Sequence, residues 1–143
     1  MKNFIILFFI ITITPFIAAQ DLTISIEGIK SSQGCKLFVG VYDAEGTFTK
    51  VGKEVKGEYI EISDQKTAIV EIKDLPTGTY SVSIFHDKNQ NDKLDTGLFG
   101  IPKEGYGFSN NIYGRFSTPS FAETNFATTN NGTTQLSIKM IYR

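Results

Sequence analysis

Apolar side chains in this chain recur at every second position, in runs too short for a helix to use. Leu22, Ile24 and Ile26 alternate with Thr23, Ser25 and Glu27, and Tyr80, Val82 and Ile84 alternate with Ser81 and Ser83. Leu136, Ile138, Met140 and Tyr142 share a face near the end of the chain. Period two marks a strand with one buried face, because successive side chains leave opposite sides of the pleat. Residues 35–42 (CKLFVGVY) are apolar on both faces, which predicts a strand central in its sheet. Residues 67–72 set Ala68, Val70 and Ile72 opposite Ile69 and Glu71, and residues 53–62 read as a weak or edge strand. Turn signals separate these runs at 28–34, 44–46, 74–78 (DLPTG) and 130–132 (NNG). Residues 47–52 suit one helical turn anchored by Phe48 and Val51, and residues 119–129 hold a short apolar element. The expected fold is an all-β sandwich of about seven strands carrying one long ordered loop.

Residues 1–19 have the layout of a secretory signal peptide. A basic start precedes an apolar run from Phe4, and small residues stand at Ala18 and Ala19. The run is also long enough to serve as a membrane anchor, but Thr12, Thr14, Pro15 and the small residues favour cleavage after Ala19. Residues 20–143 then form a single β-sandwich domain of an exported protein, periplasmic or secreted, with no membrane span after cleavage. The chain carries 14 basic and 15 acidic side chains with no basic block, so nucleic acid is not an expected partner. The single cysteine, Cys35, cannot form an internal disulfide, which leaves stability to the core or to a bound ion. Its alternation with Leu37, Val39 and Val41 reads as a small buried hydrophobe.

The long loop, residues 86–111 (HDKNQNDKLDTGLFGIPKEGYGFSNN), holds most of the chemistry. Taking Asp87 as the first position, oxygen-bearing side chains fall at the first, third, fifth and ninth: Asp87, Asn89, Asn91 and Asp95. Lys93, at the seventh, can offer its backbone carbonyl. Alternate residues of a tightly curled loop can direct their oxygens to one centre, so Ca²⁺ is the one cofactor the spacing allows. Two departures count against it: Asp92 stands where a sharp turn calls for glycine, and Leu98 where a bidentate glutamate would close the site. Glu104, further on, is a candidate for the missing carboxylate. The competing explanation is that Asp and Asn are ordinary turn formers which hydrogen-bond their own backbone.

His86, the only histidine, has no second histidine or cysteine near it in sequence, which makes a poor transition-metal site. Ser109 lacks a nucleophile elbow. Glycines at 97, 100, 105, 107 and 114 punctuate aromatics at 99, 106, 108, 113 and 116, a pattern in which aromatics pin a doubling backbone to the core. His86, Glu104, Tyr106, Phe108, Ser109 and Asn110 are thus read as organising the loop. A sharper alternative is an aromatic platform for a glycan or peptide.

The stretch HDKNQNDKLDTGLFGIPKEGYGFSNN, preceded by DLPTGTYSVSIF and followed by PSFAETNF, resembles the bacterial exported family called domain of unknown function 2141. Leu75, Pro76, Gly78, Tyr80, His86, Asp87, Asn89, Asn91, Asp95, Gly100, Pro102, Glu104, Gly105, Tyr106, Gly107, Phe108, Ser109 and Asn110 meet that pattern, while Asp92 replaces its usual glycine. The resemblance implies a small exported protein with an immunoglobulin-like or prealbumin-like sandwich and no assigned activity. The expected function is a non-catalytic binding or structural module of the bacterial envelope, with a glycan, a peptide or an envelope protein as partner. Two alternatives remain: a hydrolase or sugar-processing enzyme using His86 with Asp95 or Glu104, and an assembly partner of envelope proteins.

Overall fold

The structure is a computed structural model that describes residues 19–30, 35–114, 117–128 and 132–143. The proposed leader apart from Ala19, the loop aromatic Phe116 and most of the turn at 130–132 lie outside the described residues. Eight strands are described: β1 (Ala19–Glu27), β2 (Cys35–Tyr42), β3 (Lys56–Ile62), β4 (Thr67–Pro76), β5 (Thr79–Asp87), β6 (Tyr106–Phe108), β7 (Phe126–Ala127) and β8 (Thr134–Lys139). A single helical turn, α1 (Phe121–Thr124), is held at its start by a capping box between Ser120 and Glu123.

The strands form two sheets, as the alternating pattern requires. One has the order β4-β1-β8, with β1 antiparallel to β4 and parallel to β8. The other has the order β3-β2-β5-β6, with β7 added at the start of β5. Leu22, Ile24 and Ile26, with Ile138 beside them in the same sheet, meet Leu37, Val39, Val41, Val82 and Ile84 in one aliphatic core. β2 is central and β3 lies at the edge, in agreement with the expectation from sequence. Cys35 is buried, and its thiol lies 3.7 Å from the Lys88 carbonyl.

The outer face of the second sheet is also buried over β2, β5 and β6, though not at the β3 edge. Tyr59, Phe38, Phe85 and Tyr106 are register partners across β3, β2, β5 and β6, and so form one row of rings. Phe38 lies 4.8 Å from Tyr59 and 5.2 Å from Phe85 between ring centroids. A second cluster, Tyr42, Phe48, Tyr106 and Phe108, packs beneath Tyr113, Phe121 and Ile141. β5 is therefore buried on both sides, although its sequence alternates aliphatic with serine.

Three expectations are corrected. DLPTG is not a turn from its first residue: β4 runs through Leu75 and Pro76, and only Thr77 and Gly78 turn the chain into β5. β4 is an edge strand, where proline is tolerated. Phe48 anchors the 47–52 turn, but Val51 is exposed. The long loop is not continuous irregular structure, since its second half supplies β6.

Candidate functional site

The loop begins where β5 ends, and the strand's alternation decides its first two side chains. His86 points to the inter-sheet side and Asp87 to the outer side, and both are fully buried. The Asp87 carboxylate accepts the backbone N–H of Asn91 (3.1 Å) and of Asp92 (2.9 Å) as the chain curls over it. Gln90 and Asp92 take left-handed conformations, φ 58° and 60°. The turn that calls for glycine is thus made with Asp92, a residue type that tolerates this region.

Glu104 does the same work from the returning limb of the loop. It is buried, and it accepts the backbone N–H of Lys88 (2.8 Å) and of Asp95 (2.9 Å). One carboxylate therefore ties the outgoing and incoming limbs together. Lys103 N–H donates to the Asp95 carbonyl at 2.8 Å, and His86 N–H donates to the Gly105 carbonyl at 2.8 Å. Asp95 in turn accepts the side-chain amides of Asn89 (2.7 Å) and Asn91 (3.0 Å), while Asn91 Oδ1 accepts the Lys93 N–H at 3.0 Å. Asp87, Asn89, Asn91, Lys93 and Asp95 thus share one hydrogen-bonded turn, in which both asparagines offer nitrogen to Asp95. Among the described residues, no three His, Cys, Asp or Glu side chains cluster closely enough to hold a metal ion.

His86 lies apart from the carboxylates. Its Nδ1 is 3.0 Å from the Tyr142 hydroxyl, and its buried Nε2 has no hydrogen-bond partner. Burial, and then the Lys88 ammonium, hold its pKa below the ordinary histidine value, against the opposing pull of Asp87. Tyr142 also accepts the Lys30 N–H at 2.9 Å, and the Lys30 and Lys88 ammonium groups lie 5.0 and 5.5 Å from its ring centroid. Gly105 packs flat beneath that ring, where any β-carbon would collide. Tyr142 was legible from sequence only as one more inward residue of the last strand.

Ser109 is a crossbar. Its Oγ accepts the Val82 N–H (2.9 Å) and donates to the Thr124 carbonyl (2.5 Å), with no histidine or carboxylate in reach to activate it. Asn110, at φ 62°, reaches the Asn125 carbonyl. Asn111, which the sequence did not single out, bonds the Ser137 carbonyl and the Lys139 N–H and so docks the loop onto β8. Tyr106, Phe108 and Tyr113 do pin the loop to the core, but Phe99 does not. Leu98 is 83 % exposed, Phe99 94 % and Ile101 49 %, all at the far end of the loop.

A family model described as "Uncharacterized protein conserved in bacteria (DUF2141)" matches residues 24–136. No curated protein and no solved structure matches the chain. Among the described residues, no helix is long and apolar enough to cross a membrane.

Proposed function

The chain belongs to this family of uncharacterized proteins conserved in bacteria, DUF2141, and on that premise we propose that it is an exported, non-catalytic binding module of the bacterial envelope. Its working surface is the far end of the long loop. The observation that carries this reading is how the loop's buried carboxylates are used. Asp87 and Glu104 give both oxygens each to backbone amides of the loop itself, at 2.8–3.1 Å. Buried charge committed to backbone donors fixes a conformation and leaves little free to act on a substrate. A loop held this way meets a partner without first being ordered, which removes an entropic penalty from association. The absence of catalysis is supported by His86, whose ring faces Tyr142 rather than Asp95 or Glu104. Export is supported by the signal-peptide layout of residues 1–19.

The loop's own hydrogen bonds are sufficient to organise it. Calcium at Asp87, Asn89, Asn91, Lys93 and Asp95 would require both asparagines to turn their amide oxygens inward in place of the nitrogens that now face Asp95. Two measurements test this reading together. Hydrogen exchange should find the amides of residues 88, 91, 92 and 95 protected, and the melting temperature should be equal in chelator and in millimolar Ca²⁺. Asp87→Ala should destabilise the fold by about 1–2 kcal/mol in both media, because two amides lose their acceptor. A calcium-dependent rise in melting temperature that Asp87→Ala abolishes would move the organising role to the ion. Free exchange at those four amides would end the preorganised-loop reading.

A further inference from the structure

We propose that the loop tip, Leu98, Phe99 and Ile101, inserts into the interfacial zone of an anionic lipid bilayer. This rests on the binding-module reading and names its partner. Among the other large exposed apolar residues, Val51, Val55 and Tyr59 are spaced over nine positions and none exceeds 44 % exposure, and Ile69 and Ile112 stand singly, whereas the tip gathers three within four positions with Leu98 at 83 % and Phe99 at 94 %. Phe99 also sits in the left-handed region, φ 61° and ψ 21°, where a bulky side chain is unfavourable. The fold thus holds an aromatic ring outward against both backbone strain and water.

Part of the tip's backbone hydrogen bonding is closed within the turn itself. Gly97 N–H donates to the Ile101 carbonyl at 2.7 Å, Gly100 N–H to the Gly97 carbonyl at 3.3 Å, and Ile101 N–H to the Leu98 carbonyl at 3.5 Å. Thr96 and Pro102 close the turn as a bridge, and Pro102 has no N–H to leave unpaired. Each N–H bonded inside the turn is one fewer to desolvate where the tip meets lipid.

Charge selects the kind of surface. Residues 96–103 (TGLFGIPK) contain no acid, and Lys103 and Arg143 border the shallow depression beside Leu98 and Phe99. The chain as a whole carries a formal net charge of −1, so this positive flank is local. A convex apolar tip flanked by cations needs no matching pocket in its partner, and a bilayer supplies none. Three side chains give weak, reversible attachment that anionic lipid strengthens.

The chain contains no tryptophan, so Phe99→Trp places a single indole at the tip. Its emission should shift to the blue with vesicles of phosphatidylcholine and phosphatidylglycerol, shift less with phosphatidylcholine alone, and be quenched by brominated acyl chains. Leu98→Ser/Phe99→Ser should lower vesicle co-sedimentation about tenfold or more with an unchanged melting temperature. Lys103→Glu should weaken binding to the anionic vesicles only. Emission unmoved by either vesicle, with co-sedimentation indifferent to the double variant, overturns the proposal. A shift that follows protein concentration without lipid also overturns it, in favour of a second copy. In both cases, continued protection of the amides of residues 88, 91, 92 and 95 spares the binding-module reading, and their free exchange brings that down as well.

Discussion

The base and the tip of the long loop differ in what they do with their side chains. At the base, Asp87, Glu104, Asp95, Asn89 and Asn91 are consumed by hydrogen bonds to one another and to the surrounding backbone. At the tip, Leu98 and Phe99 stand almost fully in water with no packing beneath them. The base carries every acid and amide that the sequence offers as a metal ligand, and the tip carries none. In the fold, the polar residues act as internal props and the apolar ones are displayed. A cluster of acids and amides is therefore no guide to a binding surface until the destination of each lone pair is known.

Breaking the base should have the largest effect. Glu104→Ala removes the acceptor of the Lys88 and Asp95 amides and so unties the two limbs of the loop from each other. The expected loss is about 2–4 kcal/mol of folding stability, measured by urea denaturation, with exchange of both amides becoming fast. The serine substitutions at Leu98 and Phe99 should leave the same denaturation curve within about 0.5 kcal/mol. Equal losses at the two ends would erase the distinction between them.

The strands were legible because a half-buried pleat leaves a period-two record, which β1 carries without interruption, and because β2 is a short run apolar on both faces. β6 was not, since three residues, Tyr106-Gly107-Phe108, are too few to show a period and their glycine reads as loop. The far end of β4 was hidden because Leu75-Pro76-Thr77-Gly78 has the composition of a turn, and only pairing of Gln20 with Leu75 and Ala19 with Pro76 shows it to be an edge strand. The spacing of Asp87, Asn89, Asn91 and Asp95 located the curled turn. Glu104 was legible only as a candidate for the closing carboxylate, and its bonds to the Lys88 and Asp95 amides were not, because a partner beyond the tip is set by how the limbs fold back. Phe99 and Phe108 are alike in sequence, each beside a glycine, yet one is 94 % exposed and the other 6 %. Burial of a loop aromatic depends on the path of the backbone, and no periodicity records that path.

Acid should act on the base more gently, since one imidazole changes its charge by at most one proton. His86 is neutral in its buried site beside Tyr142, with the Lys88 ammonium disfavouring protonation and Asp87 favouring it. Its folded-state pKa lies below the unfolded value, so the unfolded chain takes up the proton first. The stabilisation is complete above about pH 6.5, the unfolded histidine value, and declines as the pH falls from there toward the folded pKa. His86→Gln should flatten that part of the stability profile while leaving vesicle binding by the tip unaltered. A profile unchanged by the substitution would mean that the imidazole is not desolvated in solution.

The smallest effect sharpens the comparison from the other end. Phe99→Gly relieves a left-handed conformation worth about 1 kcal/mol, and the gain is offset by roughly 0.5–1 kcal/mol of added freedom in the unfolded chain. With no buried area to lose, the net change should lie within about 0.5 kcal/mol. Gly100→Ala, one position on at φ 73°, has no strain to relieve and should cost about 1 kcal/mol. The pair separates backbone strain from side-chain packing at adjacent residues. If Phe99→Gly instead lost more than about 1 kcal/mol, the ring would have to be packed against the domain in solution. The tip would then be a satellite of the core, and the loop would have a single character from end to end.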